Sequence, residues 1–126
     1  MNYLADTHAL VWYFTNDSKL SKKALSILDN PENNIIIPTI VLAEIMFISR
    51  KERISVSFKE TLKLLENNNK FTLVPLDLET LKIADEMIQD LEMHDKLIVA
   101  TGLYYDTVII TKDSRIKNSK VARTIW

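Results

Sequence analysis

The sequence predicts an α/β fold, a three-layer α/β/α domain around a mainly parallel sheet of four to five strands. Three observations predict it. Short apolar or β-branched runs recur along the chain, helix-forming segments separate them, and the links between are short. Strands that alternate with helices in this way lie parallel and are covered on both faces.

Each element has a local reason. Residues 2–5 form a short buried strand. After a turn at Asp6-Thr7, Trp12-Tyr13-Phe14 continue as a short helix. Ser21 N-caps a helix over 22–29, which Asn30-Pro31 stops. Ile35-Ile36-Ile37 makes a buried strand, because β-branched side chains suit a pleated surface. Pro38 fits the first turn of a helix running to about Arg50, where its missing N–H is harmless. Phe58, Leu62 and Leu65 space apolar groups along 57–67 until Asn67-Asn68-Asn69 breaks the pattern. Phe71 to Val74 is a third strand, closed by Pro75. Asp77 caps a helix whose stripe is Leu78, Leu81, Ile83, Ala84, Met87 and Ile88. A further helix runs from His94 to Tyr105, Thr107 to Ile110 is a fourth strand, and Ala122 to Ile125 a fifth.

Length and composition narrow the function classes. A chain of 126 residues fits one domain, expected over 1–126. Such a domain buries roughly 65–70% of its unfolded surface. No apolar run approaches the ~20 residues of a membrane span. The start of the chain lacks a basic n-region and carries Asp6, so no signal peptide is expected there. The absence of cysteine excludes disulfides, zinc ribbons and thiol catalysis, and a cytoplasmic setting is expected. The single glycine, Gly102, excludes the Gly-rich phosphate loops of nucleotide-binding folds. A net charge of -1 decides nothing about nucleic acid.

Four carboxylates stand where packing is poorly served: Asp6, Glu44, Asp95 and Asp113. In a parallel sheet Asp6 and Asp113 leave from the carboxyl edge, where open α/β sheets place their ligand crevice. Glu44 lies about two turns into a helix that starts at that edge, and faces the stripe of Ile40, Val41, Phe47 and Ile48 unless the helix turns it into a cleft. Glutamate is almost never fully buried without a partner, which makes Glu44 the outlier. Asp95 falls in the first turn of its helix, where the partial positive charge favours it. Asp6 also suits an N-cap and Asp113 a turn. Two like charges about 4 Å apart repel by roughly 4 kcal/mol at an effective dielectric near 20. Gathered carboxylates therefore take up protons or recruit a divalent cation. Oxygen-only ligands favour Mg²⁺ or Mn²⁺, whose chemistry suits phosphodiester hydrolysis.

Four stretches carry a family resemblance: Leu4-Ala5-Asp6-Thr7-His8-Ala9-Leu10-Val11-Trp12, Val41-Leu42-Ala43-Glu44-Ile45, His94-Asp95-Lys96-Leu97-Ile98-Val99-Ala100, and Ile109-Ile110-Thr111-Lys112-Asp113. They resemble the PIN domain, most closely VapC-type toxins of toxin–antitoxin pairs, and the ending Arg123-Thr124-Ile125-Trp126 looks like the same branch. The resemblance implies a metal-dependent endoribonuclease using Asp6, Glu44, Asp95 and Asp113 as metal ligands and catalytic acids. It also implies a homodimer and a cognate VapB-type antitoxin whose C-terminal segment runs near the active site. Lys96 stands where many relatives have Arg, which keeps charge but loses bidentate geometry. Ser114 and Arg115 follow Asp113 where some relatives carry another acid, so one well-held metal is expected.

Around the acids, Thr7, Thr111 and Ser114 are placed to hydrogen-bond a ligand carboxylate or a metal-bound water. Lys96, Lys112, Arg115 and Lys117 are the expected RNA contacts, within a basic run that also holds Lys120 and Arg123. Arg50, Lys51 and Arg53 form a second basic group. His8 and His94 adjoin acids but are expected to serve structure rather than catalysis. Trp12, Tyr13 and Phe14 are expected in core or dimer contacts, with base stacking as the alternative, and Met46, Phe47 and Ile48 in the core, with seating an antitoxin segment as the alternative. The rival functions are a non-toxin PIN-type RNA-processing nuclease and a catalytically silent α/β binding or receiver-like module. A receiver needs paired acids after its first strand, but here Thr7-His8 follows Asp6.

Overall fold

The isoleucine run at 35–37 sits one strand from the centre of a five-stranded sheet, buried on both faces. The computed structural model describes residues 1–51 and 55–126. In chain order the elements are β1 (Asn2–Ala5), α1 (Thr7–Phe14), α2 (Lys22–Asp29), β2 (Asn34–Pro38), α3 (Thr39–Arg50) and α4 (Phe58–Glu66). They continue with β3 (Phe71–Val74), α5 (Leu78–Glu86), α6 (Met93–Tyr104), β4 (Val108–Ile110), α7 (Ser114–Ser119) and β5 (Thr124–Ile125).

Every strand pair is parallel, in the order β3-β2-β1-β4-β5. Leu4 of β1 lies opposite Ile36 of β2 on one side and Ile109 of β4 on the other. The chain therefore grows outward from β1 to β3, then crosses back through α5 and α6 to the far side of β1. Strand order reverses between β1 and β4, and that reversal opens a crevice at the carboxyl edge. Helices cover both faces in the expected α/β/α arrangement. Leu4, Ala5, Ile35, Ile37, Ile109 and Ile110 are completely buried, and α1 and α3 add Ala9, Leu10, Val41 and Ile45. Such burial contributes roughly 25 cal/mol per Å² of apolar surface, which gives this sheet its stability.

Gly102 owes its identity to packing. Its backbone does not take a positive φ. A Cβ there would meet Ile109 Cδ1 at 2.9 Å and Cγ1 at 3.0 Å. The missing side chain thus lets α6 lie close against β4.

Four local expectations change. No turn separates Asp6 from the first helix, because Asp6 caps α1 directly by accepting the Ala9 amide at 2.9 Å. Pro38 ends β2 rather than opening the helix, since its ψ of 142° is extended. α5 stops at Glu86, where Met87 turns extended with ψ 128°, and Ile88 leaves the stripe at 93% exposure. α7 was not foreseen. It is six residues long and buries only Ile116, so no apolar period marks it.

Candidate active site

Asp6 is the most deeply placed acid, at 7% exposure just past the end of β1. Its Oδ1 accepts the Ala9 amide, and its Oδ2 accepts the hydroxyl of Thr111, which follows β4. Burial pushes the Asp6 carboxyl up; the bonds from Thr111 and Ala9 and the nearby His8 oppose the rise, while Asp113 adds to it. The Thr111 hydroxyl also accepts the Asp113 amide at 3.0 Å. Asp113 in turn N-caps α7, its Oδ1 accepting the Arg115 amide at 2.8 Å. One threonine thus joins two acids on adjacent strands' ends.

Glu44 projects from the middle of α3, where its Oε1 accepts the Thr7 hydroxyl at 2.9 Å. It is half-buried and lines a cleft, the alternative to facing its apolar neighbours, while Asp6 is the buried acid. Asp95 stands in the first turn of α6. Its carboxyl is pushed from 3.8 up to about 6, first by loss of hydration and then by Asp113, Glu92 and Glu44; Arg115 opposes the rise. That pattern places Asp113 and Glu44 within electrostatic reach of Asp95, while Asp113 also acts on Asp6. The four segments meet around the β1/β4 reversal.

Two clefts flank these acids. One, of about 310 Å³, is lined by Asp6, His8, Trp12, Lys112 and Asp113. The other, of about 470 Å³, is lined by Glu44, Phe47, Ile48, Lys51 and His94 and is mainly apolar. Phe47 is 61% exposed there and does not belong to the core as expected. Among the described residues no three Asp, Glu or His side chains stand as a ready-made metal cluster. The donor set still suits a hard cation: all its atoms are carboxylate oxygens, and like charges raise Asp95. A divalent ion would relieve that repulsion.

The basic residues separate once placed. Lys112 lines the Asp6 cleft, and Arg115 acts electrostatically on Asp95 and Glu92. Lys96 turns its ammonium to the Met87 carbonyl at 3.4 Å and lines a groove with Leu81, Asp85 and Met93. Lys117 is exposed on α7, and Arg123 pairs with Asp106 at 2.7 Å. Ser114 is exposed at the start of α7. Arg53 lies outside the described residues. Sequence reasoning missed Glu92, which caps α6, holds His94 Nδ1 at 2.8 Å and raises Asp95. Its signal was an acid three residues before Asp95. Tyr13 and Phe14 pack against Phe71, whereas Trp12 faces a cleft.

An all-parallel sheet with carboxylates gathered where its strand order reverses defines an acid-edged α/β domain, built to meet ligands at that edge. The chain belongs to the PIN domain family, whose model matches residues 3–121. Solved structures agree in fold. A chain of VapBC2 from Rickettsia felis, bound to a promoter DNA fragment, superposes with a TM-score of 0.74 at 17% identity, covering 100% of this chain and 99% of that one. DNA-bound VapBC from Salmonella typhimurium gives 0.71 at 15% identity, covering 99% and 97%. The PIN domain endonuclease Utp24 gives 0.53 at 15% identity, covering 94% and 75%. No curated protein matches the chain significantly.

Proposed function

We propose that this chain is a metal-dependent endoribonuclease, one PIN domain over 1–126, acting as the toxin of a VapBC-type toxin–antitoxin pair. One observation carries the reading: Asp6 and Asp113 line one cleft at the β1/β4 reversal, and Asp95, raised to about 6 first by loss of hydration, also feels Asp113 and Glu44. Asp6, Glu44, Asp95 and Asp113 would hold Mg²⁺ or Mn²⁺. When bound, such an ion neutralises phosphate charge and acidifies an attacking water.

The chain's own residues do the rest. Thr111 and the Ala9 amide fix Asp6, and Thr7 fixes Glu44, so the carboxylates need little reorganisation. Lys112 and Arg115 neutralise RNA phosphates at the mouth of the crevice. Lys117 adds charge from α7. The toxin assignment is supported by VapBC complexes whose chains match this one over nearly its full length. It brings a VapB-type antitoxin and a homodimer with it. The exposed Phe47 beside Glu44 offers an antitoxin segment an apolar seat. No helix among the described residues is long and apolar enough to cross a membrane, and a cytoplasmic setting completes the proposal.

A non-toxin PIN-type RNA-processing role is the second reading; the PIN domain endonuclease Utp24 shares the fold. Growth arrest on expression, relieved by a neighbouring small protein, separates the toxin from it. The chemistry is tested by RNA cleavage with Mg²⁺ or Mn²⁺, with and without EDTA, beside Asp6→Asn and Asp95→Asn. Cutting is expected to need the metal and to collapse in both variants. Cutting that ignores EDTA, or unchanged rates in both variants, overturns the proposal.

A further inference from the structure

Trp12 is placed unlike its neighbours Tyr13 and Phe14. It packs against the core, yet its ring lines the cleft that holds Asp6 and Asp113. It also lines a second cleft of about 210 Å³ bounded by Asn16, Asp17 and Ser18. The exposed Lys19 and Lys112 each bring an ammonium to 5.9 Å from its ring centroid. His8 lies 5.4 Å away, ring to ring, and Trp126 5.8 Å. An indole serving only as a hydrophobic anchor has no use for two flexible cations and two clefts.

We infer that Trp12 is a stacking platform for an unpaired base of the RNA strand, next to the phosphate that is cut, with Lys112 and Lys19 on the flanking phosphates. This rests on the ribonuclease reading and deepens it by naming a residue that would hold the substrate. Bases offer a π-face to an aromatic ring whatever their identity, and phosphates follow nearby cations, which is how single strands are held. At 5.9 Å the ammonium groups are at the outer limit of a cation–π contact. Both sit on long exposed side chains, so they swing to a phosphate and leave the ring free. Reaching the ring requires a base splayed out of a helix, so loops and single strands are favoured over duplex. Trp12 is a specificity residue here, and the acids remain the catalytic ones.

The test uses a short single-stranded RNA oligonucleotide that the wild-type protein cuts. Binding is measured by fluorescence anisotropy on the Asp95→Asn protein, with single abasic positions walked across the cut site. One abasic position is expected to weaken binding roughly 5- to 150-fold. The same position should cost nothing once Trp12→Leu is added, and an intermediate amount with Trp12→Phe. Indole fluorescence in a Trp126→Phe background should be quenched by the intact strand and not by that abasic one, which tests the contact without altering Trp12. An abasic penalty unchanged by both Trp12 variants, or no base-dependent quenching, overturns the platform while leaving the ribonuclease reading intact. A wild-type protein that cuts no RNA overturns both.

Discussion

The Thr111 hydroxyl donates to Oδ2 of Asp6 across the β1/β4 reversal and accepts the Asp113 amide at 3.0 Å. Asp6 is buried, so losing this donor exposes a carboxylate oxygen to an unpaired interior. Thr111→Val keeps the shape and should destabilise the fold by about 1–3 kcal/mol in urea unfolding. Its cleavage rate should fall as well, because Asp6 and Asp113 lose their shared tether. Thr111→Ser should retain most of both, and an equal loss in the two variants would point to the methyl group instead.

Asp95 gives a pH dependence of definite sign. The folded chain holds its proton up to about pH 6, whereas the ordinary value is 3.8. Between those values the folded state binds more protons than the unfolded one, so metal-free stability falls as pH rises through the window and levels off above it. The raised Asp6 acts in the same direction. Asp95→Asn should flatten the fall in Tm and raise metal-free Tm at pH 7 to 8. A Tm that instead climbs between pH 4 and 6 in metal-free wild type would contradict the raised Asp95.

Charge contacts with RNA should divide by location. Lys112 faces the Asp6 cleft, while Arg123 is committed to Asp106 at 2.7 Å. In a salt titration of RNA binding, Lys112→Gln should lower the log–log slope by roughly 0.7, the single-strand value per contact. Arg123→Gln should leave the slope unchanged. The reverse ranking would move the RNA path away from Trp12.

Gly102→Ala tests why the chain keeps its single glycine. The new methyl would press on Ile109 at 2.9 Å, and Thr107 Oγ1 stands 3.3 Å away. Overpacking of this kind costs about 1–3 kcal/mol. A stabilised variant, as helix propensity alone would give, would show that α6 moves off β4 freely.

Ser21 and Asp77 announced their helices because capping is local chemistry, and both accept the expected amides. Ile35-Ile36-Ile37 announced its strand because two buried faces require an unbroken apolar run. α7 escaped because six residues with one buried side chain carry no period. Ile88 was misplaced because the stripe continues on paper after the backbone has turned at Met87.

By itself the sequence determined the alternation of strands and helices and the parallel sheet, because periodicity and caps act within a few residues. Tertiary structure alone decided which acid is buried, that Thr111 joins Asp6 to Asp113, that Lys96 turns to Met87, and that Trp12 faces the acids. Those outcomes depend on strand order and helix rotation. They join residues as far apart as Asp6 and Thr111, and no local pattern encodes such a meeting.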